Sequence, residues 1–171
     1  MKMLYLMRHG KSAWSDADDG DHERPLAPRG CKAAAAVGRY LAKAEARPQL
    51  VLCSDAKRTS DTLDLVLEHL DAKPTVEREG GLYLCGPRVL LERIKDAPDD
   101  ADSLLVLAHN PDLHAVSLAL AGHGDDDHHV ALKMKFPTAA CAVFQIDTAR
   151  WRDIDTEHAR LLDFIIPRKL A

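Results

Sequence analysis

Leu4-Tyr5-Leu6-Met7-Arg8-His9-Gly10 places four apolar residues directly before two basic ones and a glycine. So short a continuous apolar run reads as a buried strand, and it ends where its chemistry begins. Gln49-Leu50-Val51-Leu52-Cys53 and Ser103-Leu104-Leu105-Val106-Leu107-Ala108 repeat the pattern. Between these runs the apolar spacing turns helical. From Pro28 to Ala44, the residues Ala33, Val37, Tyr40, Leu41 and Ala44 recur on one face despite Gly38. Ser54 stands where it would cap a helix carrying Leu63, Val66, Leu67 and Leu70. A shorter helix is expected from about Arg88 to Asp96, stopped by Pro98, and another with Leu113, Val116 and Leu120 ends near Gly122.

The last third reads differently. Cys141–Ile146 and Arg160–Ile166 look like two further strands, joined by a polar segment containing Trp151, as in a hairpin or an edge pair. Apolar strands alternating with helices imply an α/β three-layer sandwich, a mostly parallel central sheet with helices on both faces. No repeat, low-complexity tract or linker divides residues 1–171, so a single domain is expected.

Composition excludes several classes of function. Twenty-three Lys and Arg against 27 Asp and Glu leave a net charge of −4, which provides no global basic field for a nucleic-acid backbone. With 5% aromatic residues there is little material for a base-stacking platform. No apolar stretch approaches the roughly 20 residues of a membrane helix, and Arg8 interrupts Met1–Met7 too soon for a signal peptide. A soluble, cytoplasmic protein is expected. The four cysteines (Cys31, Cys53, Cys85, Cys141) form no C-x-x-C pair, and Cys53 reads as a small buried hydrophobe. Neither a dinucleotide fingerprint nor a Walker loop occurs.

The three strongest strands share one property: each is followed by positive or proton-carrying groups. Arg8-His9-Gly10 follows the first, Ser54 and then Arg58 the second, and His109-Asn110-Pro111 the third. Ligands of open α/β sheets bind beyond the carboxyl ends of the strands. Two arginines and two histidines therefore converge on one crevice, with the N-termini of two helices beside them. Guanidinium forks and helix N-termini suit a phosphate dianion. A single arginine on a surface helix is ordinarily solvated; three strand ends turning basic together are better explained by an anion site. Gly10 is expected to let the backbone approach the anion.

With these residues in place, the sequence resembles the histidine phosphatase superfamily, phosphoglycerate mutase-like in fold, and within it the small SixA-type phosphohistidine phosphatases. The R-H-G signature is Arg8-His9-Gly10. The R-P-L-x-x-x-G motif is Arg24-Pro25-Leu26-Ala27-Pro28-Arg29-Gly30. The motif S-x-x-x-R-x-x-x-T is met by Ser54, Arg58 and Thr62, and the second histidine comes as Ala108-His109-Asn110-Pro111. The resemblance implies phosphoryl transfer without metal or other cofactor, through a covalent phosphohistidine. His9 would be the nucleophile; Arg8, Arg58 and His109 would hold the phosphoryl oxygens, with Gly10, Ser15 and Asn110 as further phosphate-binding positions. Adjacent guanidinium charges would keep the imidazole neutral and stabilise the equatorial oxygens.

The chain departs from the family pattern at two places. Ser15 stands where longer relatives carry Asn, and Glu79-Gly80-Gly81-Leu82-Tyr83 occupies the stretch that elsewhere supplies a glutamate general acid. Glu77, Glu79 and the acidic loop 16–23 are the candidates for that acid. A phosphohistidine, whose imidazole leaves with little help, would need it least. The C-terminal half offers no room for a large cap, so an open site facing a phosphorylated protein of the histidine-phosphotransfer type is expected, with a small phosphoester as the alternative substrate. A mutase, or a non-catalytic phosphoprotein-binding module, is a further alternative. His123-Gly124-Asp125-Asp126-Asp127-His128-His129 superficially resembles a metal cluster, but it lacks a ligand spacing and reads as a solvated loop. Trp14 is expected either to wall the pocket or to pack. The net charge of −4 thus averages over a crevice of concentrated positive potential.

Overall fold

A computed structural model describes residues 1–14 and 20–170. Its frame is a six-stranded sheet built from β1 (Lys2–Arg8), β2 (Leu50–Ser54), β3 (Thr75–Glu79), β4 (Ser103–Ala108), β5 (Cys141–Ile146) and β6 (Ala159–Ile165) in the order β3-β2-β4-β1-β5-β6. The β3–β2, β2–β4 and β4–β1 pairs are parallel, and β5 and β6 add an antiparallel edge. Among the described residues the helices are α1 (Pro28–Lys43), α2 (Lys57–Leu67), α3 (Pro87–Lys95), α4 (Asp112–Ala121) and α5 (Asp127–Met134).

Alternation along β1 sets the layers. Leu4 and Leu6 face a core shared with Leu90 and Ile94 of α3, Leu113 and Val116 of α4, and Leu132 of α5. Tyr5 and Met7 face the opposite core, with Val37 and Leu41 of α1 and Leu63 and Val66 of α2. Successive strand residues point to opposite faces, so a wholly apolar strand is stable only with helices on both. Gly38 lets α1 approach α2, because a Cβ there would lie 3.1 Å from the Val66 Cα. Trp151, in the β5–β6 connection, is buried and donates its indole N–H to the Ala101 carbonyl at 2.8 Å. All four cysteines are free thiols, and burial pushes Cys53 up to about 12.

Three local expectations are corrected. The strand Thr75-Val76-Glu77-Arg78-Glu79 was not anticipated, because it is an edge strand whose charged, largely exposed side chains hide any apolar period. Ser54 does not cap α2: it is the last residue of β2, and Ala56 occupies the cap position. The segment 123–129 is not simply a solvated loop, since α5 begins inside it and Asp126 caps that helix by accepting the His129 backbone N–H at 3.0 Å. Both ring nitrogens of His129 are engaged, Nδ1 with Asp126 and Nε2 with the Ala121 carbonyl.

Candidate active site

The order β2-β4-β1 places the carboxyl ends of the three basic strands side by side. There Arg8, His9, Arg58 and His109 line one cavity of about 260 Å³, together with Lys11, Ser12, Arg24, Asn110 and Thr138. His9, Arg58 and His109 are only 7%, 5% and 1% exposed, so their polar atoms face each other and the cavity rather than bulk water. Arg58 is therefore not the solvated helix arginine that its position on α2 alone suggests.

Hydrogen bonding defines the state of His9. Its Nδ1 lies 2.7 Å from the Gly10 carbonyl, which can only accept, so Nδ1 carries the proton. Nε2 then presents its lone pair toward Arg58, whose Nε–H donates to it at 3.4 Å. Burial lowers the His9 pKa to about 3, with His109, Arg58 and Arg8 adding to the effect. The imidazole is neutral at pH 7, and its free nitrogen points among cations. Burial first and Arg58 second lower His109 to about 4. Its Nε2 lies 2.8 Å from the Ser54 hydroxyl, which gives the terminal residue of β2 a positioning role.

The frame around His9 is rigid for identifiable reasons. Gly10 donates its N–H to Thr62 Oγ1 at 3.0 Å, and Thr62 donates its hydroxyl to the Arg58 carbonyl at 2.7 Å. One buried threonine thus ties the first strand end to the second. A Cβ on Gly10 would sit 2.7 Å from the Gly30 carbonyl, and one on Gly30 only 2.1 Å from the Lys11 carbonyl. The close approach that Gly10 allows is to the start of α1 rather than to an anion, and its N–H is already spent on Thr62. The threonine of the second-arginine motif and the glycine of the R-P-L-x-x-x-G motif act here.

Arg8 donates from Nη1 to the Phe136 carbonyl at 3.0 Å, while its buried Nε has no partner among the described residues. Asn110 lines the cavity, but its amide is committed: Nδ2 donates to the same Phe136 carbonyl at 3.0 Å and Oδ1 accepts the His114 N–H at 3.3 Å. It positions the loop after β4. Ser15 lies outside the described residues, as do Asp16, Asp18 and Asp19.

Glu77 and Glu79 are not in the cavity. Both are held by Arg93 of α3, at 2.7 Å and 2.8 Å. Among the described residues of the acidic loop, Asp21 reaches the site. Its carboxylate accepts from Tyr83, from Arg58 at 3.0 Å and from Arg24 at 3.2 Å. The Tyr83 hydrogen bond, followed by those of Arg58 and Arg24, lowers its pKa to about 2. Sequence reading gave Tyr83, Lys11 and Arg24 no role at the site, although Arg24 heads a motif. Trp14 is exposed and does not line the cavity; the Arg24 guanidinium sits 4.2 Å from its ring centroid.

Comparison with known proteins gives concordant results. The model of the histidine phosphatase superfamily (branch 1) matches residues 4–82. An uncharacterized protein of Mycobacterium leprae is 34% identical over 166 residues, spanning 95% of this chain and 100% of that one. Among solved structures, a candidate phosphohistidine phosphatase SixA from Nakamurella multipartitia superposes with a TM-score of 0.83 at 28% identity, covering 97% of this chain and 96% of that one. A second, from Agrobacterium tumefaciens, gives 0.82 at 27% identity over 97% and 98% of the two chains. No helix among the described residues is long and apolar enough to cross a membrane.

Proposed function

The chain belongs to the histidine phosphatase superfamily, and from that premise we propose that it hydrolyses phosphohistidine in a signalling protein through a covalent phosphohistidine on His9. One observation carries the reading. The neutral His9 imidazole is held by Gly10 with its lone-pair nitrogen among Arg8, Arg58 and His109. That is what in-line attack on a phosphoryl group requires.

In the first step the Nε2 lone pair of His9 forms a bond to phosphorus. The bond to the substrate imidazole, whose other ring nitrogen carries a proton, breaks, and its electron pair stays on the departing nitrogen, so that neutral imidazole is released. In the second step water attacks phosphorus, the P–Nε2 bond breaks, and inorganic phosphate leaves with His9 restored. Arg8 and Arg58 supply the positive charge that the equatorial oxygens need, with no metal in the scheme. A dianion beside His109 would offset the influence of Arg58 and raise the affinity of that imidazole for a proton, so that it could donate to a phosphoryl oxygen.

The substrate class is supported by the state of Asp21. It is ionised and triply hydrogen bonded, which suits it poorly as a proton donor. An imidazole leaving group, with an ordinary pKa of about 6.5, tolerates this better than an alcohol does. The test is labelling with a radioactive phosphohistidine protein. Wild type should acquire acid-labile, alkali-stable label, and His9→Ala should acquire none. Full activity in His9→Ala overturns the mechanism.

A further inference from the structure

A second and larger hollow, about 740 Å³, runs between the outer face of α1 and the C-terminal 3-10 turn Pro167–Leu170. Its walls carry Lys11, Arg29, Lys32, Arg39, Lys135 and Arg168, and among the described residues no aspartate or glutamate lines it. The last five form no ion pair with any described residue. By contrast, Arg93 of α3 and Arg152 beside it are each held by carboxylates. The floor is apolar, with Ala36, Pro137 and Leu170.

Two geometric facts limit what fits. The groove adjoins the catalytic cavity, because Lys11 and Thr138 line both. Its basic stripe then runs away from the site along α1: Arg29 and Arg39 are ten residues apart, which is about 15 Å of helix. A compact metabolite held at His9 would not reach the far end. A bare polyanion such as polyphosphate would use the cations and leave the apolar floor wet. An extended chain carrying both carboxylates and apolar side chains uses both.

We propose that this groove binds an acidic, partly apolar segment of the phosphoprotein substrate, adjacent in sequence to its phosphorylated residue. The inference rests on the phosphatase reading above and gives it a specificity-determining surface: His9 takes the phosphoryl group while α1 selects the flanking sequence. Charge of this kind acts through encounter and orientation, so its signature lies in KM and in salt dependence, with kcat preserved.

The experiment compares two phosphohistidine peptides of equal length, one flanked by Glu-Leu repeats and one by Lys-Leu repeats, with phosphoramidate as a small donor. Wild type should show a KM about tenfold or more lower for the Glu-Leu peptide, rising with salt. The K32E/R39E variant should lose that preference and keep its phosphoramidate rate. Lys135→Glu, on the opposite wall, should weaken the preference independently should the helix variant fail to fold. Equal KM values in wild type, or competition by polyphosphate as effective as by the Glu-Leu peptide, overturn the proposal. Should wild type hydrolyse neither peptide nor phosphoramidate, the phosphatase reading fails. Fluorescence anisotropy with the unphosphorylated Glu-Leu peptide then decides the groove. Salt-sensitive binding that K32E/R39E abolishes upholds it, and absence of binding overturns it.

Discussion

Arg58 holds Asp21 twice, donating to its backbone carbonyl at 2.7 Å and to its carboxylate at 3.0 Å. The guanidinium proposed to grip a phosphoryl oxygen is thus already paired with an anion, and the 3-10 turn Asp21–Glu23 leans over the site. Its neighbour His22 fastens the turn from the far side, with Nε2 2.7 Å from Asp55. A phosphate dianion must displace or share this carboxylate. Asp21→Asn should therefore bind inorganic phosphate about three- to tenfold more tightly, as the loss of one partly exposed charge implies. Competitive inhibition by phosphate measures it, and unchanged or weaker inhibition would show that Asp21 orients Arg58 instead.

Thr62 joins two strand ends through one hydroxyl, which accepts the Gly10 N–H and donates to the Arg58 carbonyl. Thr62→Val leaves that buried N–H unpaired. We expect a loss of about 1–3 kcal/mol in unfolding free energy, together with reduced kcat as His9 loosens. Thr62→Ser should restore both. Denaturant melts and steady-state rates give the two readouts.

Imidazole nitrogen NMR should find His9 protonated on Nδ1, neutral, and free of titration above pH 5, because its pKa lies at about 3. The same shifts govern stability. The folded-state values of His9 and His109, about 3 and about 4, lie below the ordinary 6.5. Between pH 6.5 and about 4 the unfolded chain accordingly binds protons that the folded chain refuses, and stability falls with pH. At pH 5 each histidine costs about 2 kcal/mol relative to pH 7. His22 and His158, raised by their carboxylate partners, act in the opposite direction. The discriminating measurement is therefore the difference between wild type and the H9N/H109N double variant, whose stability should decline less over this range.

Both carboxylate oxygens of Glu79 accept from Arg93, and Glu79 stands away from the cavity. A general acid is worth on the order of 10²–10⁴ in rate. Glu79→Gln should instead leave kcat within about twofold, with only a modest fall in melting temperature, since Arg93 keeps Glu77. A hundredfold loss of rate would return Glu79 to the mechanism.

Much of the frame was legible in the chain because burial is written in local periodicity. Leu4–Met7, Leu50–Cys53 and Leu104–Ala108 are continuous apolar runs, and only a strand covered on both faces buries every residue of such a run. The strand Thr75–Glu79 was missed for the converse reason: its pairing on β2 is a backbone property that its charged side chains do not announce. The order of polar groups at the strand ends likewise pointed to Arg8, His9, Arg58 and His109, and the cavity contains all four.

What the sequence by itself determined, then, was which residues end the buried strands and which faces of the helices are apolar. Both depend on neighbours within a few positions. Tertiary structure alone decided which nitrogen of His9 carries the proton, that Arg58 is buried against Asp21, and that Glu77 and Glu79 belong to Arg93. It alone drew Lys11, Arg39, Lys135 and Arg168 into one groove beside the site. The His9–Gly10 contact apart, these pairings join residues 14 to more than 120 positions apart. Their partners are chosen by the strand order β3-β2-β4-β1-β5-β6, which no local pattern encodes.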